Sequence, residues 1–244
     1  MNKVPKMMTF LNRLRKDTSG LALVEFAVSL PFFMGLSIGG FETAYFSYVQ
    51  MRLNQITINT ADSASRMGQG AVLANKRIDE QQINDVFAGT IREGESVLLG
   101  GEHEYIDPGT GAVNLRGNAL IILSSVEPHP GFNPANPKYR IRWQRCVGQA
   151  DFFAPQYGKI NNSQNVDAVG PVGRQVSPPD AGAIMFVETQ YYFKPLIVNG
   201  FTNLGEAAIT KTAAMVVRDA RDYNGGNEGV YPKAGSTASE CDFN

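Results

Sequence analysis

Hydrophobic positions along the chain fall into three regimes. From Leu21 to Phe41 they are nearly continuous. Those twenty-one residues carry one ionisable side chain, Glu25, and a helix of that length crosses a hydrocarbon core of roughly 30 Å. The run holds eleven Leu, Ile, Val or Phe residues. Each favours insertion by roughly 0.3–0.6 kcal/mol, against roughly 2.5–3.5 kcal/mol for a central charge and less near an end. The apolar side wins, which predicts a single transmembrane helix over 21–41 with Glu25 in its first turn.

The second regime is helical and amphipathic. Tyr45, Val49, Leu53, Ile56, Thr60, Ala64 and Met67 recur at spacings of three and four, with polar residues between them. No Pro or Gly interrupts Glu42–Met67, and Gly68 stops the pattern. Leu21–Met67 thus predicts one rod of roughly 70 Å at 1.5 Å per residue. Asp79–Glu93 predicts a shorter helix with Ile83, Val86, Phe87 and Ile91 on one side.

In the third regime the period becomes two. Ala119–Val126 is an apolar run of strand length. Tyr139, Ile141, Trp143, Arg145 and Val147 alternate with Lys138, Arg140, Arg142, Gln144 and Cys146. Ala183–Phe193 and Ala207–Val217 complete four strands, and Pro128, Pro130, Pro134 and Pro137 make the first connection stiff and irregular. The expected fold class is α+β: a roughly four-stranded antiparallel sheet covered by the continuation of the long helix.

Two segments fit no regime. Residues 102–118 are polar and turn-rich and are expected to be a solvated loop, with a turn at Asp107-Pro-Gly-Thr-Gly-Ala. Residues 148–182, rich in Gln and Asn and containing Pro178-Pro179, are too long for a plain connection. They are expected to be mobile or to contact a partner, with the partner-contacting loop preferred. The chain divides into 1–20, a basic leader; 21–41, the membrane helix; 42–70, its exported continuation; 71–222, an α+β domain; and 223–244, an irregular tail.

Charge sets orientation. Lys3, Lys6, Arg13, Arg15 and Lys16 precede the apolar run against Asp17 alone, and no comparable basic cluster follows within twenty residues. The N-terminus should stay cytoplasmic and the rest be exported. Without residues 1–20, 17 basic side chains stand against 22 acidic ones, a mild acidity that gives no reason to expect nucleic acid. A secretory signal peptide fits poorly. The apolar stretch is about twice the usual length, carries Glu25, and lacks a small-x-small cleavage site.

A basic segment, Gly20, four apolar residues, Glu25 and a long apolar helix form the layout of a type IV prepilin. More narrowly, Gly20-Leu-Ala-Leu-Val-Glu25-Phe26-Ala-Val-Ser-Leu30-Pro31-Phe-Phe resembles the TadE-like minor pseudopilins of tight-adherence (Flp) pilus systems. The likeness continues in Tyr45–Met67 and, weakly, around Tyr191–Leu196 and Ile209–Ala214. Leu21 stands where many pilins place Phe, so methylation of a new N-terminus is not implied. The resemblance implies a subunit of the bacterial inner membrane, cut by a prepilin peptidase between Gly20 and Leu21. Its domain would be periplasmic and pilin-like. Its partners would be the membrane, other pilin and pseudopilin subunits and the inner-membrane assembly machinery. Its role would be to initiate or support pilus biogenesis and hence cell adhesion; incorporation into the pilus stays open.

Cleavage would create an ammonium on Leu21 at the edge of hydrocarbon, near Glu25, and buried charges persist only when paired. The resemblance implies inter-subunit pairing of Glu25 with a neighbour's Leu21 ammonium; the bland alternative is a carboxylate that snorkels to the headgroups. Pro31 removes a helical hydrogen bond and predicts a kink or local unwinding, while Gly35 and Gly39 would let another helix approach. Cys146 and Cys241 both fall in the exported part, where an oxidising compartment would pair them.

Catalytic patterns are missing from the sequence. There is no phosphate loop, Cys-x-x-Cys, His-Glu-x-x-His or Gly-x-Ser-x-Gly, so no cofactor is expected and an enzyme is disfavoured. His103 lies between Glu102 and Glu104, but three adjacent side chains cannot converge on a metal. Glu188 is expected on the outer face of a half-exposed sheet. Two alternatives to the pilin-like reading stay open: an unprocessed, membrane-anchored periplasmic binding module that uses 148–182, and a tethered hydrolase.

Overall fold

The structure, a computed structural model, describes residues 20–70, 74–107, 109–160, 163–180, 182–196, 207–222, 224–226 and 228–241. Nearly all of the leader, with the whole of its basic cluster, lies outside them. The chain forms two compact units: residues up to Tyr45 with 195–205, and Phe46–Lys194 with 206–244. One element, α1 (Leu21–Ser65), runs from the first into the second and is unbroken at Pro31, so no unwinding interrupts it.

In the first unit α1 leaves Leu23, Val24, Phe26, Phe32, Phe33 and Leu36 exposed. This helix is long and apolar enough to cross a membrane. In the second unit Val49, Leu53, Ile56 and Ala64 of α1 are fully buried, as the three- and four-residue spacing predicts, and Ala61 is buried beside them. Each such side chain of Val, Leu or Ile size stabilises by about 1.5–3 kcal/mol. The last carbonyls of α1 are capped from far away in sequence: Arg221 donates Nη2 to the oxygens of Ala64 at 3.3 Å and Ser65 at 3.0 Å.

Strand β1 (Ile78–Asp79) leads into α2 (Glu80–Glu93) through a capping box. The Gln82 amide donates to Asp79 Oδ1 at 3.0 Å and the Asp79 amide to Gln82 Oε1 at 3.2 Å. Ile83, Phe87 and Thr90 are buried, whereas Val86 and Ile91 are half-buried. Thr90 meets Thr60 of α1, Oγ1 to Oγ1, at 2.8 Å.

The polar stretch expected to be a solvated loop is a hairpin of β2 (Glu102–Ile106) and β3 (Val113–Gly117). Its alternation is carried by His103 and Tyr105 on the half-buried side, with Glu102 and Glu104 outside. That pattern is masked by polar residue types. The turn is as expected: Asp107 Oδ1 accepts from the amides of Gly109 at 2.7 Å and Thr110 at 3.2 Å. Those two bonds hold the Asp107 carboxyl below its ordinary value.

The main sheet holds β4 (Ala119–Pro128), β5 (Tyr139–Val147), β6 (Ile184–Phe193) and β7 (Ala207–Val216), all antiparallel in the order β5-β4-β6-β7. The fold class is α+β. A register shift between Ser125 and Val126 divides β5. Tyr139 and Ile141 join one hydrophobic cluster, whereas Arg145, in the same sequence phase, pairs with Glu80 of α2. Their burial at alternate positions therefore comes from both sides of the sheet being covered.

α1 covers one face: Thr57 donates to Thr189 Oγ1 at 2.9 Å, and Phe46 packs edge-on to Phe193 with ring centroids 5.0 Å apart. The other face carries the segment 148–182. Tyr157, Ile160, Val166, Val169 and Val176 pack on Val126, Ile184 and Phe186. Farther along, Ala150 and Phe153 pack on Leu120 and Ile122. The segment expected to be mobile or to contact a partner packs as a covering layer on the sheet. The cause is that β4 and β6 are apolar in both phases, and a sheet with two apolar faces must bury both. Gly148 opens the layer at φ +119, where an added Cβ would lie 2.1 Å from the Ala119 oxygen.

The tail is largely irregular in its described part, but β8 (Val230–Tyr231) pairs in parallel with β1. Cys146 and Cys241 form a disulfide with Cα atoms 5.0 Å apart, and the Cys146 amide donates to the Ser239 oxygen at 2.8 Å.

Candidate functional site

The residues singled out in the sequence collect at the start of α1. Gly20 is the last residue before the helix, and its carbonyl accepts the first helical bond, from the Val24 amide at 3.1 Å. A Cβ added at Gly20 would meet nothing within 4 Å among the described residues, and its φ lies outside the left-handed range. The fold therefore gives no reason for glycine at this position. Leu21, the first helical residue, is 59% exposed.

Glu25 lies one residue beyond the first turn, not within it, since α1 starts at Leu21 and has no acid in its first four residues. Its side chain is exposed on an otherwise apolar surface. Among the described residues it makes no hydrogen bond or ion pair, so its membrane partner would have to come from outside them.

Pro31, Gly35 and Gly39 follow on the same helix. At Gly35, Gly39 and the adjacent Gly40 an added Cβ again meets nothing within 4 Å. Glycine inside a helix is less favourable than alanine by about 1 kcal/mol in water. Within the described residues no packing compensates for it at these three positions.

The remaining candidates serve the fold. Cys146 and Cys241 tie the tail to β5. His103 stacks on Tyr192 with centroids 4.1 Å apart and pairs through Nδ1 with Asn118 Oδ1 at 3.0 Å. It belongs to a packed aromatic group, not to a solvated loop. Glu188 is not on an outer face. It is buried beneath the covering layer, where both carboxylate oxygens accept from the Gln156 amide, at 3.0 and 3.2 Å, and Oε1 also accepts from Gln190 Nε2 at 2.5 Å. Burial raises its proton affinity, and the bonds from Gln156 and Gln190 oppose that rise only in part. Glu188 thus anchors the 154–157 stretch, helped by Gln190, which donates to the Ala154 oxygen at 2.6 Å.

The charged pair the sequence analysis missed is Arg145 with Glu80. Arg145 donates Nη2 to Glu80 Oε1 at 2.6 Å and Nε to Oε2 at 3.1 Å, with both side chains buried. The signal was an arginine in the apolar phase of β5, which demands a buried acid. Among the described residues no three His, Cys, Asp or Glu side chains gather in a way that could hold a metal ion.

Comparison of the chain with protein-family models, with curated proteins and with solved structures finds no match.

Proposed function

We propose that the chain is a minor pilin-like subunit, a pseudopilin of the tight-adherence type. It is anchored in the bacterial inner membrane by the first half of α1, with its N-terminus cytoplasmic and its domain periplasmic. A prepilin peptidase cuts between Gly20 and Leu21, and the subunit then assembles with other pilins to initiate or support pilus biogenesis. The reading is carried by one observation. A single helix begins immediately after Gly20, presents over 21–41 a largely apolar exposed surface whose one charge is Glu25, and continues into a stripe packed in the α+β domain.

Three further features support it. Gly20 is unneeded by the fold, Glu25 has no partner among the described residues, and Gly35 and Gly39 leave open space for another helix. In an assembly the Leu21 ammonium of one subunit would sit against Glu25 of the next and fix the axial register between them. The alternative of an anchored binding module loses its chief support, because the segment it would use is committed to covering the sheet.

Co-expression with a prepilin peptidase tests the proposal. The wild-type chain should lose about 2 kDa, the share of residues 1–20 in 26.6 kDa, and Gly20→Ala should abolish the loss. An unchanged mass for the wild-type chain beside a cleaved control prepilin would refute it.

A further inference from the structure

The two edges of the main sheet are treated differently. The β5 edge is paired by the chain itself: Tyr139 and Val166 exchange backbone bonds of 2.8 and 2.9 Å, Ile141 donates to the Ser163 oxygen at 2.9 Å, and Cys146 donates to Ser239. The β7 edge has no backbone partner among the described residues.

Nothing in β7 blunts that edge. Its pairing with β6 runs through ten residue pairs, Ile184↔Val216 to Phe193↔Ala207, without a register shift. The strand Ala-Ala-Ile-Thr-Lys-Thr-Ala-Ala-Met-Val contains no proline or glycine. Its one charge, Lys211, is directed to Gln50 of α1, Nζ to Oε1, at 2.8 Å. Exposed edges are ordinarily guarded by proline, bulges or free charges.

We propose that β7 is an interface for a second copy of this chain, joined edge to edge and antiparallel about a two-fold axis at Thr212. An antiparallel two-fold pairing must place one residue opposite itself, because directly opposed residues share a face of the sheet. Centring on Lys211 would oppose two ammoniums. Centring on Thr212 sets Thr212 against Thr212, Thr210 against Ala214, Ile209 against Met215 and Lys211 against Ala213. Threonine pairs and apolar pairs are favourable cross-strand neighbours, and no like charges meet. The same register joins two four-stranded sheets into one of eight strands. This interface goes beyond the pilin-like reading and does not depend on cleavage after Gly20.

The test uses the full chain in membranes of a host without a prepilin peptidase, so that its outcome is independent of processing. Thr212→Cys should form a disulfide-linked dimer under mild oxidation. Lys211→Cys should stay monomeric, because its counterpart is displaced by two residues, roughly 6.8 Å along the strand, which puts the Cα atoms beyond the reach of about 7 Å. Thr210→Cys and Ala214→Cys should cross-link when mixed but not singly. Thr212→Lys should lower the dimer fraction measured by sedimentation in detergent. Equal cross-linking at 211 and 212, or none at 212, overturns the interface. Slow hydrogen exchange, in dilute monomeric protein, of those β7 amides that point away from β6 also overturns it, since the chain itself would then cover the edge; the alternate β7 amides are bonded to β6 in either case.

Discussion

The Arg145–Glu80 pair makes a quantitative demand on the fold. Arg145 is 2% exposed and Glu80 5% exposed, so neither charge has water to fall back on if the other is removed. Glu80→Ala leaves the buried guanidinium, among the described residues, with its one remaining hydrogen bond, to the Gln144 oxygen at 3.0 Å. Arg145→Met removes the guanidinium from the buried carboxylate at the start of α2. Breaking a buried pair from one side costs about 3–5 kcal/mol, a large part of the roughly 5–15 kcal/mol that a domain has. Replacing both residues with methionine removes the desolvation cost along with the attraction, and such swaps are often neutral or stabilising by about 1–4 kcal/mol. The assay is equilibrium urea unfolding in detergent followed by tryptophan emission. Trp143 is the one tryptophan in the chain and is buried in the same strand. Each single variant should shift the midpoint strongly, and the double variant should recover most or all of the loss. Single losses under about 1 kcal/mol, or a double variant as weak as the sum of the singles, would refute the account.

Other expectations follow from the same geometry. Cys146→Ser should destabilise the oxidised protein by about 4–5 kcal/mol, because the bridge closes a separation of 95 residues. Melting in reductant should then show no difference from wild type. Glu188, whose proton affinity is raised by burial, binds its proton more tightly in the folded state, so its contribution is full below its ordinary 4.5 and is lost as pH rises through its folded value. Glu188→Gln should flatten that part of the stability profile, and an unchanged profile would show that the carboxyl titrates normally. Glu25→Ala should insert and be cleaved like wild type but assemble poorly; normal pilus output would contradict the inter-subunit pairing.

Periodicity made α1, α2 and the four long strands legible in the sequence, because each buries a regular stripe. The capping residue Asp79 even marks the start of α2. The β2–β3 hairpin escaped because its inward residues, His103 and Tyr105, are amphipathic and its outward ones include two glutamates, so no apolar alternation shows. The covering layer escaped for a different reason. Val166, Val169 and Val176 are scattered among turns and have no period. The clue lay in β4 and β6, whose Leu120, Ile122, Ile184 and Phe186 require something apolar on the second face. The phase change in β5 could not be read at all. A bulge leaves the burial pattern intact when both faces are covered, and it shows only in the strand register, Ser125 opposite Trp143 but Val126 opposite Ile141, and in the partner of Arg145. At the N-terminal site, the sequence supplied the residues and the structure supplied the reason to look beyond the chain: glycines that no neighbour requires and an acid with no counter-charge among the described residues.

The central claim is that the chain becomes functional by being cut on the cytoplasmic side, directly before α1. The intact mass of the protein recovered from its native membranes tests this most directly. The account predicts a chain that starts at Leu21 and retains the whole apolar helix. A chain that still starts at Met1, or one that starts beyond Phe41, would contradict it.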